Sequence, residues 1–224
     1  MTQIVSIQSN RPQNIFYVHW NLGKRCNFDC SYCADSLHDF ISPHRSLENL
    51  ITIADNMKKN ILHDKIRIWF TGGEPTVNPN FLKFCKYLYA DGRFLLGLNT
   101  NGSRTTRYYL NLLECVDTIQ FSSHFEFLKD DKFKETLTTL VKETYGSGKA
   151  VNINLMMEPE YWDRAVSLIK HCKQFSIEYH IKRIRNKDNF TSINRQYSPI
   201  YTDDQLRFIT DAEYRHTYLE DYNE

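Results

Sequence analysis

Three cysteines, Cys26, Cys30 and Cys33, crowd into the eight residues CNFDCSYC. Thiolates are soft donors that suit zinc and iron–sulfur clusters, and the Cys-x3-Cys-x2-Cys spacing reads as metal ligation. One loop with three such thiolates can hold three corners of a cubane and leave the fourth iron open, which a reactive cluster needs. A structural zinc site instead closes all four positions. Cys115, at a helix end, and the downstream His38 and His44 are available to close one, whereas Cys85 and Cys172 fall on apolar faces of predicted helices. On cysteine spacing alone both readings stand.

Further polar groups recur at regular distances downstream. Thr71-Gly72-Gly73-Glu74-Pro75 combines two glycines, which let the backbone approach a ligand closely, with a carboxylate able to receive an ammonium group. Asn99-Thr100-Asn101-Gly102 ends in a common turn dipeptide, with Thr100 or Asn101 free to face a site. Ser122-Ser123-His124 follows, and His124 and Glu126 are candidates to face a substrate. Asn152 and Asn154 share one face of a predicted strand, where inward amides need either a ligand or one another's company. His180 and Lys182 share a face of the next strand, with Arg183 on the other and Arg185 just beyond; a cation there holds an anionic group or simply meets solvent. Each motif also has a plain structural reading as a turn or a solvated charge run.

The elements that carry these motifs alternate. Strands are predicted at 15–20, 65–70, 94–99, 117–121, 150–157 and 177–184, and helices at 47–61, 79–90, 104–114, 130–145 and 160–174. Ser46 is the expected N-cap of the first helix and Gly146 the residue after the fourth. One helix after every strand implies parallel strands joined by right-handed crossovers, and six units imply a partial (β/α)6 barrel with outer helices. The cysteine loop and the Gly-Gly-Glu, Asn-Thr-Asn-Gly and Ser-Ser-His motifs all fall at C-terminal strand ends, the edge that carries active sites in parallel α/β folds. Residues 1–184 therefore read as the core domain. Residues 185–224, polar and tyrosine-rich, read as a tail with a short helix starting at the capping box Thr202-Asp-Asp-Gln205, packing on the barrel or leading elsewhere.

Taken together, these motifs resemble the radical S-adenosylmethionine (radical SAM) superfamily, whose signature is Cys-x3-Cys-x-aromatic-Cys, with Tyr32 at the aromatic position. The resemblance covers roughly residues 15–184 and implies a partial (β/α)6 barrel. It implies that Cys26, Cys30 and Cys33 ligate one [4Fe–4S] cluster whose open iron is chelated by S-adenosylmethionine. Tyr32 would lie beside the adenine, Gly72, Gly73 and Glu74 would bind the methionine amino group, and Thr100 and Asn101 would line the cofactor side. Ser122 would contact the ribose or the carboxylate, with Asn154 and Lys182 as further cofactor contacts. One electron from a flavodoxin- or ferredoxin-type donor would cleave the C5′–S bond to give methionine and a 5′-deoxyadenosyl radical that abstracts hydrogen from a substrate; Lys24 and Arg25, before the loop, either help dock that donor or simply meet solvent.

The balance of 28 basic and 27 acidic residues gives no electrostatic case for nucleic acid or a membrane surface. With neither a secretory signal nor an apolar run of membrane-spanning length, the sequence reads as cytoplasmic. Residues 173–224 contain no cysteine, which argues for one cluster. Glycyl-radical activating enzymes carry Asp-x-Lys where Ser122-Ser123-His124 stands, and molybdopterin-precursor enzymes need a second cluster and a C-terminal Gly-Gly, both absent. A peptide or protein substrate is preferred because an incomplete barrel opens laterally, although only about 14 residues precede the first strand. The alternatives are a small metabolite or nucleotide, including deazapurine formation, and, from another class, a non-catalytic zinc module.

Overall fold

In a computed structural model, the chain is described over residues 14–34, 36–184 and 200–220, with backbone only over 212–220. Six strands form one sheet in the order β1-β2-β3-β4-β5-β6. They are β1 Ile15–Asn21, β2 Lys65–Thr71, β3 Phe94–Thr100, β4 Thr118–Ser123, β5 Ala150–Met157 and β6 Glu178–Arg183, and every neighbouring pair is parallel. The helices α1 Leu47–Asn60, α2 Phe81–Asp91, α3 Thr106–Leu113, α4 Asp130–Thr144 and α5 Trp162–Gln174 connect them, and α6 Asp203–Glu220 follows β6. This open sheet with flanking helices is the incomplete (β/α)6 barrel expected from the alternation.

Side-chain alternation sorts the sheet into two faces. Ile66, Ile68 and Phe70 of β2, Leu96 and Leu98 of β3, and Ile119 and Phe121 of β4 are fully buried in one core with helix residues such as Leu50, Phe84 and Leu137. The residues between them, including Arg67, Trp69, Asn99, Gln120 and Ser122, are half-buried on the opposite, concave face. Cys85 and Cys172 are core residues of α2 and α5, and Cys115 donates from Sγ to the Leu112 carbonyl at 3.3 Å.

The caps behave as the local sequence demands. Ser46 accepts from the Asn49 amide, and Gly146 takes the left-handed conformation, φ +72°, after α4. The expected capping box forms: Thr202 Oγ1 accepts from Gln205 N at 3.2 Å while Gln205 Oε1 accepts from Thr202 N at 3.0 Å. The tail packs on the outer side of the sheet. Tyr201 donates to the Met157 carbonyl at 2.7 Å and stacks under Arg183, Phe208 meets Trp162 edge-on, and Ile209 is buried. Arg185 and residues 186–199 of the expected tail lie outside the described residues.

Candidate active site

The cysteine loop leaves β1 and is fastened along the end of β2. Leu22 N donates to Thr71 O, Gly73 N to Gly23 O and Glu74 N to Arg25 O, each at 2.8–2.9 Å. Such close approach explains the two glycines. Gly72 has φ +132° and a Cβ there would sit 2.5 Å from the Gly23 carbonyl oxygen, while one on Gly73 would fall on the carbonyls of Lys24 and Arg25. The far end of the loop is closed by Cys26 N to Asp39 O and Asp39 N to Lys24 O.

Glu74 joins the ends of β2 and β3. Its Oε1 accepts from Thr76 N, Thr76 Oγ1 and Thr100 Oγ1 at 2.7–2.9 Å, and its Oε2 accepts from Asn101 N at 2.6 Å. Burial raises its pKa against the lowering pull of these donors. The carboxylate is thus largely occupied within the protein, where the sequence had suggested a receptor for an ammonium group. Asn101 continues the chain of contacts: its Nδ2 donates to Asn27 Oδ1 at 3.0 Å and lies 3.9 Å from Cys26 Sγ.

The β4–α4 connection holds the other side of the loop. Glu126 accepts from Ser31 N at 2.9 Å and from Ser31 Oγ at 2.7 Å, clamping the turn between Cys30 and Cys33. Tyr32 and His124 stack, with ring centroids 5.9 Å apart, and their OH and Nδ1 are 2.5 Å apart. Desolvation pushes the His124 imidazole down to about 4, so the ring is neutral, and one hydrogen bond joins its Nδ1 to the phenol. Phe28 packs edge-on to His124 and stacks on Phe127. The loop's aromatic residue is therefore fixed by a histidine that sequence reasoning had offered as catalytic. Glu126, offered as facing a substrate, binds the loop instead.

Between loop and sheet edge lies a cavity of about 390 Å³. All three thiols reach it, together with Tyr32 and His124; Gly72, Gly73 and Glu74 line it from β2, Thr100 and Asn101 from β3, and Ser122 from β4. Asn154 and Lys182 are not among its walls: Asn154 lies beside Ser122 in register, one strand further, and Lys182 is exposed on β6. Burial raises the thiol pKa values of Cys26 and Cys30. Of the alternative zinc partners, His38 also lines the cavity, but its ring nitrogens meet the Ala34 carbonyl at 3.2 Å and Asp29 Oδ1 at 2.9 Å. His44 borders a separate, much smaller cleft, and Cys115 is in the core. Among the described residues, no group of three His, Cys, Asp or Glu side chains is arranged to hold a single metal ion.

The glycine inside the third strand, in FLLGL, is a signal the sequence reading passed over. A Cβ on Gly97 would fall on the six-membered ring of Trp69, its register partner on β2. The Trp69 Nε1 donates to Asn99 Oδ1 at 3.1 Å, so the indole is fastened across β3 just below the cavity. Glu158, immediately after β5, was also missed. It is buried, its Oε1 has no hydrogen-bond partner, and burial followed by the charge of Glu126 pushes its carboxyl up to about 8.

That shift has a sign. In the unfolded chain Glu158 ionises near its ordinary value of 4.5, whereas in the fold it stays neutral to about pH 8, so folding stability falls as pH rises through this window. Glu158→Gln, which cannot ionise, is expected to flatten the slope. Melting curves at about pH 5 and pH 8 should show the drop in Tm shrinking by several degrees, given about 2–4 °C per kcal/mol for a chain of this size. An unchanged drop would show that Glu158 is ionised in the fold.

Residues 20–181 match the family model described as the Radical SAM superfamily. Among curated proteins, a GTP 3′,8-cyclase from Rhizobium etli is 31% identical over 125 residues, covering 54% of this chain and 35% of that protein. One from Actinobacillus succinogenes is 23% identical over 164 residues, covering 66% and 47%. Molybdenum cofactor biosynthesis protein 1 of Mus musculus is 28% identical over 154 residues, covering 63% and 24%. The chain spans less than half the length of each. Among solved structures, native anSMEcpe with bound AdoMet superposes with a TM-score of 0.62 at 16% identity, over 87% of this chain and 59% of that one, which shows a common fold. Among the described residues no helix is long and apolar enough to cross a membrane.

Proposed function

The chain belongs to the radical SAM superfamily of enzymes, which use S-adenosylmethionine and an iron–sulfur cluster, and from that premise we propose that it holds one [4Fe–4S] cluster on Cys26, Cys30 and Cys33 and acts on a small nucleotide. The observation that carries this reading is one cavity at the C-terminal edge of a parallel sheet, which takes in three thiols, an aromatic ring and a glycine turn together. The donor set fits the cofactors. Thiolates are the ligands iron–sulfur clusters prefer, and the other three cysteines are buried in the core. When bound, the cluster and S-adenosylmethionine supply reductive cleavage of the C5′–S bond and a 5′-deoxyadenosyl radical able to take a hydrogen atom.

The protein's own residues bind and orient. Tyr32, fixed by His124, offers a ring face to the adenine. The Gly72–Gly73 main chain, rather than the occupied Glu74 carboxylate, receives the ammonium group, and Glu74 holds that turn against Thr100 and Asn101. Ser122 contributes its hydroxyl to the ribose or carboxylate. Asn154 and Lys182, the other cofactor contacts expected from the sequence, stand outside this cavity. Glu126 keeps the cysteine loop seated on β4. The donor of the electron is a small flavodoxin- or ferredoxin-type protein. Residues 1–184 form the catalytic core and 200–220 a buttress on its outer side.

The lateral opening of the barrel had favoured a peptide, but the curated relatives are named for a GTP reaction, and the preference passes to a nucleotide. The substrate class, not the cyclisation itself, is what carries over, since the match covers less than half of each relative. Anaerobically reconstituted protein, given dithionite and S-adenosylmethionine, should release 5′-deoxyadenosine, and GTP should raise the yield where a panel of short peptides does not. No 5′-deoxyadenosine from protein with a full complement of iron would sink the enzyme assignment; stimulation by peptides alone would sink the substrate class.

A further inference from the structure

The concave face of the sheet carries polar groups that the fold leaves without partners. Arg67 lies on it two residues before Trp69, about 6.6 Å along β2. It makes no hydrogen bond or ion pair among the described residues, and its Nε is buried without an acceptor. Across the sheet, the Oδ1 atoms of Asn152 and Asn154 are buried without a donor, and Asn154 adjoins Ser122 of the cofactor cavity. Unsatisfied buried polar groups are expensive and uncommon, so three on one face point to a missing binding partner.

Trp69 lies on the same face. The absent side chain at Gly97 makes room for its six-membered ring, and Asn99 holds its Nε1. Asn99 itself lines the cofactor cavity, so the indole is continuous with the place where chemistry would start. An aromatic surface held at both ends loses little entropy when another ring stacks on it. Beside Gln120 and Ser122, this face thus offers a fixed aromatic ring, an unpaired guanidinium and two free amide acceptors. Its complement is a planar heteroaromatic with N–H donors and an anionic group, and a nucleotide has all three.

We propose that Trp69 is the stacking platform for the substrate's base, that Arg67 receives its phosphate, and that Asn152 and Asn154 accept hydrogen bonds from it. The proposal rests on the nucleotide reading above and assigns its specificity to these four residues.

Calorimetric binding to the reconstituted holoenzyme with S-adenosylmethionine, using GTP, ATP, CTP and guanosine as probes, tests it without turnover. The best-bound nucleotide should lose roughly five- to hundredfold in affinity with Trp69→Ala, the range expected for one stacked base, and much less with Trp69→Phe. Arg67→Gln should weaken the triphosphates and leave guanosine unchanged. Because Trp20 and Trp162 are the other two tryptophans, quenching of tryptophan emission by the bound base should disappear in Trp69→Phe, a readout that survives if the alanine variant fails to fold. Absence of nucleotide binding, or binding indifferent to Trp69→Ala with quenching retained in Trp69→Phe, would overturn the platform. Release of 5′-deoxyadenosine by the wild-type protein in those same preparations would leave the enzyme assignment standing, so the two failures are distinguishable.

Discussion

Cys30→Ser is expected to reduce iron content well below that of the wild-type protein and 5′-deoxyadenosine to background, while the circular dichroism spectrum is preserved. Cys30 is the most enclosed of the three loop cysteines. Its carbonyl closes the turn to Cys33 N at 2.9 Å, and the next residue is clamped by Glu126, so the main chain holds its course when the sulfur is lost. Serine offers a hard oxygen donor in place of a soft one, in surroundings that already oppose the anionic form. The matched control is Cys172→Ala. That thiol is buried among α5 core residues, and its removal costs stability, on the order of 1 kcal/mol, through a small cavity. It should leave iron and product unaltered. Equal iron in the two variants would show that the loop does not ligate the cluster.

The second large effect is expected from Gly73→Ala. The added methyl group would land on the Lys24 and Arg25 carbonyls, and neither strand of this contact can swing away cheaply, because Gly73 N is bound to Gly23 O and Glu74 N to Arg25 O. To admit the methyl, the stem of the cysteine loop must part from β2. Overpacking of this kind costs about 1–3 kcal/mol, hence several degrees in Tm, and here it should also lower the iron retained after desalting. Gly92→Ala separates the two consequences. Gly92 has φ +74° with open space around its would-be Cβ, so alanine there costs about 1–2 kcal/mol of backbone strain far from the loop. It should depress Tm while keeping its iron. If Gly73→Ala keeps full iron as well, the close approach of these two segments is not what seats the loop.

Much of this could be read without coordinates. The strand and helix positions were legible because alternation on the strands and helical periodicity between them are local patterns, and the capping box at Thr202 and the stop at Gly146 follow from the chemistry of a few neighbouring residues. The order of motifs along the chain placed the thiols, the glycine turn and Ser122 at one sheet edge, since every strand of a parallel sheet ends on the same side. Substrate class was not legible. The opening of an incomplete barrel suggested a peptide, a large-scale shape argument, whereas the curated relatives are named for a GTP reaction.

What the sequence determined by itself was therefore the architecture, because alternation and periodicity are written in spacing, and a thiolate loop at the sheet edge, whose zinc or iron–sulfur character spacing alone left open. Tertiary structure decided which groups were already engaged. Glu74 is taken up by Thr76, Thr100 and Asn101, His124 by Tyr32, and Glu126 by Ser31. It also decided which were left waiting, namely Arg67, Asn152 and Asn154. Apart from Thr76, these engaged partners are separated by 26 to 95 residues and leave no periodic trace, since hydrogen bonding depends on a few ångströms of final geometry that only the folded sheet supplies.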